Sequence, residues 1–137
     1  MYPVELTAPM AKELNKYGFR SLTTPEEVDE VLGKKEGSVL VVVNSVCGCA
    51  AANARPGAIM SLGGEKQPDE LVTVFAGVDR EATARAREYM LPYPPSSPSI
   101  ALFKDGKLVH FLERFNIEGR PAEAIAQNLV EAYNRNL

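Results

Sequence analysis

The sequence predicts an α/β domain built on a mixed central sheet, with helices on both faces and an extra helix at the N-terminus. Three observations carry this. Helix-like and strand-like segments alternate from Thr24 onward, the pattern of a sheet covered by helices. Residues 38–43 are almost wholly apolar and rich in valine, as suits a central strand buried on both sides. Asp105-Gly106 divides two strand-like runs late in the chain, a hairpin signal that makes the sheet mixed rather than parallel throughout.

Each element has its own justification. Residues 4–16 carry Leu6, Met10 and Leu14 at helical spacing, and Gly18 ends that helix. Residues 19–22 form a short edge strand. Thr24-Pro25-Glu26-Glu27 opens a helix, with Thr24 as cap, Pro25 in the first turn and Glu27 closing a capping box. Val28, Val31 and Leu32 face inward, and the helix stops near Gly33. After the valine strand, Asn44-Ser45-Val46 leads to Cys47-Gly48-Cys49, and residues 50–62 form an Ala-rich helix that Pro56 kinks or divides. Residues 71–76 are a strand. Asp79 caps a helix reaching about Met90, with Arg85 and Arg87 turned to water. Residues 92–98 make a rigid proline-rich loop. Residues 99–103 and 107–112 are the arms of the hairpin. Pro121 opens a last helix, to about Tyr133, with Ile125, Leu129 and Val130 on its apolar face. This element order is that of a thioredoxin-like fold.

Composition bounds the function. The chain has 137 residues, which at ~150 residues per domain predicts a single domain over 1–137. A chain of this length buries roughly two-thirds of its unfolded surface and needs no disulfide staple. With 15 Lys+Arg against 18 Asp+Glu and a net charge of −3, no basic surplus is available to neutralise nucleic-acid phosphates. The apolar run at 39–43 is too short to span a bilayer, so no membrane role is expected. The N-terminus has neither the basic nor the apolar region of a secretory signal, and a cytoplasmic location is expected.

The two cysteines, Cys47 and Cys49, carry the chemistry. A bridge across one residue closes too small a loop to stabilise the chain, so the pair reads as catalytic rather than structural. A metal is not expected, because two thiolates need further ligands and the only histidine, His110, lies far along the chain. A strand-to-helix junction puts Cys47 at the positive end of a helix dipole, which favours its thiolate. No acidic residue occurs between Asn44 and Met60, while Arg55 is cationic and near in sequence. Gly48 supplies the backbone freedom that a one-residue spacing demands. Two mechanisms remain open: Cys47 accepts a small thiol from a mixed disulfide and Cys49 resolves the adduct, or a preformed, strained Cys47–Cys49 bond oxidises or reshuffles a client. A non-catalytic redox-sensing module is a third reading.

Ser97-Pro98 enters the strand before the hairpin, where a thioredoxin-like fold holds a cis-proline facing the cysteines. Only ~5–6% of X–Pro bonds are cis, so this expectation rests on topology rather than on local sequence. There the backbone of Ser97 can pair with a bound chain. His110 reads as a half-buried strand residue.

The segment Val41-Val42-Val43-Asn44-Ser45-Val46-Cys47-Gly48-Cys49-Ala50 resembles the active-site segment of the bacilliredoxins, small thioredoxin-like proteins also described as Cys-Gly-Cys disulfide isomerase-like. The resemblance continues through Ala54-Arg55-Pro56, Glu81-Ala82-Thr83, Arg87-Glu88-Tyr89, Pro95-Ser96-Ser97-Pro98-Ser99 and Ile117-Glu118-Gly119. It implies an oxidoreductase that removes bacillithiol, or another low-molecular-weight thiol, from S-thiolated client proteins. Bacillithiol would be a co-substrate rather than a bound cofactor. By the same resemblance, Cys47 is the attacking cysteine, Cys49 the second cysteine and Pro98 the cis-proline position; Gly48, Ser97 and Pro98 are expected to border the bound substrate.

Overall fold

A run of β-branched side chains favours extended backbone and packs well on both faces of a pleated sheet. In the computed structural model, which describes residues 3–46 and 48–137 apart from the side chain of Cys49, the valine run becomes β2 (Ser38–Asn44), buried at every position. Around it lie β1 (Arg20–Ser21), β3 (Glu70–Phe75), β4 (Ser99–Lys104) and β5 (Lys107–Leu112). The strand order is β1-β3-β2-β4-β5. β3 runs parallel to both β1 and β2, while β4 is antiparallel to β2 and β5 to β4. The sheet is mixed, as expected.

The helices are α1 (Val4–Asn15), α2 (Pro25–Leu32), α3 (Gly48–Met60), α4 (Arg80–Tyr89), α5 (Arg114–Ile117) and α6 (Ala122–Asn136). The alternation of side chains along β2 divides the core in two. Leu40 and Val42 join Leu14 of α1, the alanines of α3, Ile117 of α5 and Ile125, Leu129 and Tyr133 of α6. Val39, Val41 and Val43 join Val28, Val31 and Leu32 of α2 and Ala82 and Ala86 of α4. Helices therefore cover both faces. No helix among the described residues is long and apolar enough to cross a membrane.

Local chemistry sets several boundaries. The Thr24 hydroxyl accepts the Glu27 backbone N–H at 3.2 Å, and the Glu27 carboxylate accepts the Thr23 and Thr24 backbone N–H groups at 2.9 and 3.2 Å. The capping box is complete. These bonds, the Thr23 backbone first, hold the Glu27 carboxyl below its ordinary range. The hairpin turns on Asp105 and Gly106, at φ of 52° and 82°, the paired positive values of a type I′ turn.

Several expectations change. On α1, Thr7 and Leu14 are buried whereas Leu6 is 45% exposed, because the contacts made by a helix, not its spacing alone, choose the inward face. α3 continues through Pro56 to Met60 and then tightens into a 3-10 turn at Ser61–Gly63. Proline removes one backbone donor, but packing against α6 holds both sides of it. Asp79 precedes α4 without a side-chain capping bond; its backbone conformation, φ −97° and ψ 69°, is not the extended geometry of a cap. Arg87 is half-buried, its Nε has no partner, and burial pushes its guanidinium pKa down. Arg85 stays at the surface near Asp29 and Glu88. The last helix runs to Asn136, beyond the expected end, and α5 is an additional short helix.

Candidate functional site

The register of the sheet assembles the site. Val43 of β2 opposes Ser99 of β4. The chain leaving β2 at Asn44 and the chain entering β4 from Pro98 therefore meet at one end of the sheet. β3 is parallel to β2, and the Ala76 N–H continues that pairing onto the Asn44 carbonyl at 3.0 Å. The loop after β3 consequently opens at the same end. It carries Asp79, whose carboxyl burial pushes above its ordinary value.

Of the residues that separate β2 from α3 in the sequence, Ser45 and Val46 are described. Cys47 lies outside the described residues, as does the side chain of Cys49; the backbone of Cys49 is in the first turn of α3. The neighbours define the setting. The Gly48 N–H donates to the Val46 carbonyl at 2.9 Å. Gly48 takes φ of +43°, the left-handed region that glycine enters without steric cost. The freedom expected of this glycine is used. α3 has no acidic residue in its first turn, so nothing there opposes an anion at the positive end of its dipole. Ala50, Ala51, Ala54 and Ala58 are buried, and their small side chains let α3 lie close to the sheet.

The proline side of the site is also fixed. The Ser97–Pro98 peptide is cis, as the topology led us to expect; Leu91–Pro92 is cis as well. Pro98 is buried and Ser97 half-buried. The loop is tied down on each side: the Ser99 hydroxyl donates to the Ser96 carbonyl at 2.9 Å, the Ser96 hydroxyl accepts the Arg114 N–H at 2.7 Å, and Tyr93 stacks on Phe111 with centroids 4.7 Å apart. His110 does not join the site. It sits half-buried on β5, its Nε2 2.6 Å from Asn128 Oδ1.

A buried polar cluster lies behind the turn. Arg55, 7% exposed, reaches back from α3 to the end of β2. Its Nη1 donates to Asn44 Oδ1 and to the Ser45 carbonyl, each at 3.0 Å, and its Nε donates to Glu13 Oε1 of α1 at 3.0 Å. Asn44, 1% exposed, also accepts the Ser45 N–H through Oδ1 at 2.9 Å and donates from Nδ2 to the Met10 carbonyl at 3.2 Å. The sequence marks Arg55 only as a nearby cation. Glu13 and Asn44 go unnoticed there, although a lone arginine in an alanine-rich helix and an asparagine ending a valine strand are visible anomalies.

Comparison with known proteins agrees with this architecture. The Fasciola hepatica thioredoxin structure matches with a TM-score of 0.60 at 21% identity, covering 87% of this chain and 100% of that one, which shows the thioredoxin fold. A family model described as disulphide isomerase matches residues 2–137. A bacilliredoxin of Cytophaga hutchinsonii is 60% identical over 134 residues, covering 98% of each chain. A bacilliredoxin of Halalkalibacterium halodurans is 55% identical over 135 residues, covering 98% of this chain and 94% of that one. With a thioredoxin fold and near-complete coverage at such identity, the chain belongs to the bacilliredoxin family.

Proposed function

We propose that this protein is a thiol–disulfide oxidoreductase that removes bacillithiol, or another low-molecular-weight thiol, from client proteins that carry it as a mixed disulfide. Family membership and the thioredoxin fold support the oxidoreductase class. The observation that supports the finer reading is the register of β2 and β4, which brings the end of β2, three residues before Cys47 in the sequence, beside the cis Ser97–Pro98 peptide.

The chemistry runs in two exchanges. The Cys47 thiolate, favoured by the N-terminal end of α3, attacks the sulfur of the small thiol in the mixed disulfide. A new disulfide joins Cys47 to that thiol, and the client cysteine leaves as its thiolate and takes a proton from solvent. The Cys49 thiolate then attacks the Cys47 sulfur. The small thiol departs and a Cys47–Cys49 disulfide remains, holding the oxidising equivalents first carried by the client. Gly48 allows the two sulfurs to be this close in sequence, and the backbone at Ser97 borders the bound client.

Intact mass spectrometry tests this directly. A Cys49→Ala variant mixed with a bacillithiolated model protein gains the mass of bacillithiol, and a Cys47→Ala variant gains none. Absence of the adduct on both, with Cys47 still open to alkylation, would overturn the bacillithiol reading. The family model's description favours a second activity, disulfide isomerisation. Recovery of a scrambled disulfide protein, dependent on both cysteines, is the measurement that separates it.

A further inference from the structure

We infer that Arg55 is a positioning residue for the reactive cysteine: clamped between Glu13 of α1 and the Ser45 carbonyl, it fixes the segment that leads into Cys47 and holds a permanent positive charge on a residue two positions before it in the sequence. This rests on the reading of Cys47 as the nucleophile and adds the part of the machinery that holds it.

The geometry leaves Arg55 little other use. A guanidinium is always charged and presents its donors in a rigid fork. Here one arm of the fork grips Asn44 Oδ1 and the Ser45 carbonyl, and the opposite side faces Glu13. Burying such a charge is costly unless it is paired and fully bonded. Arg55 is 7% exposed, while Glu13 keeps 40% of its side chain in solvent. The carboxylate is therefore the better hydrated and more weakly coupled partner. The cation touches the segment leading to the turn, two residues before Cys47, and the anion lies on the far side of the guanidinium. Arg55 is the only charged residue of α3. Glu13 shares a surface groove with Lys12 of α1, Lys16 just beyond its end and Pro56 of α3. Through Asn44 and Met10, the same cluster ties α1 to the end of β2.

Charge and fold can be separated by sign. The Cys49→Ala background leaves Cys47 as the only thiol, and its apparent pKa is read from the pH dependence of alkylation by iodoacetamide. Arg55→Gln removes the cation and should raise that pKa by about half a unit or more. Glu13→Gln removes the opposing anion and should lower it. Arg55→Lys, which keeps the charge without the fork, should fall between parent and Arg55→Gln. A merely structural role would move Arg55→Gln and Glu13→Gln the same way. Shifts of equal sign, or none in variants with parental circular dichroism, would overturn the inference. Should Arg55→Gln not fold, Glu13→Gln decides: an unchanged or raised pKa overturns it. Bacillithiol transfer to Cys47 that persists while its pKa ignores both residues removes this inference and leaves the proposed function standing. A Cys47 that is neither alkylated nor modified removes both.

Discussion

Gly48 shows what one residue contributes to a turn. Its φ of +43° is the constraint, since a Cβ built there meets nothing within 4 Å. Gly48→Ala should therefore lose about 1–2 kcal/mol from the left-handed backbone alone, measured as a lower urea midpoint with an unchanged slope. At this scale the sequence was legible where the partners are near in the chain. Thr24 and Glu27 are three residues apart, and their capping box followed from spacing. Arg55 was visible as a charge, but its carboxylate partner is 42 residues away, and no local rule pairs the two. Asn44 was opaque for the same reason, since Met10, whose carbonyl it binds, lies on α1, 34 residues away.

At the scale of elements, Gly57 makes the complementary case. It sits in α3 without a positive φ, yet a Cβ there would lie 2.7 Å from Ile125 Cγ2 and 2.8 Å from Ile125 Cβ. The missing side chain is what lets α3 lie against α6. Gly57→Ala should gain helix propensity and still destabilise, by about 1–3 kcal/mol, and Gly57→Ala with Ile125→Ala should lose less than the sum of the losses of Gly57→Ala and Ile125→Ala measured singly. Thermal melts of the three variants decide it. Helices with capping signals and strands with β-branched runs were readable in order and nearly to their ends. The short α5 was not. Four residues carry no periodicity, and its start depends on the Glu113 N–H meeting Asn116 Oδ1 at 3.0 Å. The inward face of α1 was half-readable: Leu14 was found, but Thr7, not Leu6, fills the other buried place.

For the whole molecule, Tyr133 links packing to solution behaviour. It is fully buried on α6, its hydroxyl 2.8 Å from Ser61 Oγ, which itself donates to the Ala58 carbonyl. Burial pushes the phenol from its ordinary 10.0 up to about 12, with the Ser61 hydrogen bond pulling the other way. The unfolded chain ionises first, so the fold holds the extra proton between these values. Stability from this group is complete below about pH 10 and is lost as pH rises toward about 12. Alkaline denaturation should show that decline, and Tyr133→Phe should remove most of it while costing about 1 kcal/mol at neutral pH. The fold class was legible because alternating elements and a terminal hairpin leave few topologies. The register of β2 on β4, which sets Val43 opposite Ser99, is a property of the folded sheet that no local segment announces.

The sheet also has a beginning and an end. β1 is two residues long and opens with Arg20, and the outer strand on the other side begins with Lys107 and breaks register where β4 passes from Leu102 to Phe103. A stray extended segment finds a template too short to hold it on one flank, and a charged, out-of-step one on the other. The margins of the sheet thus carry a guard against lasting pairing with another extended segment, and so against seeding fibres.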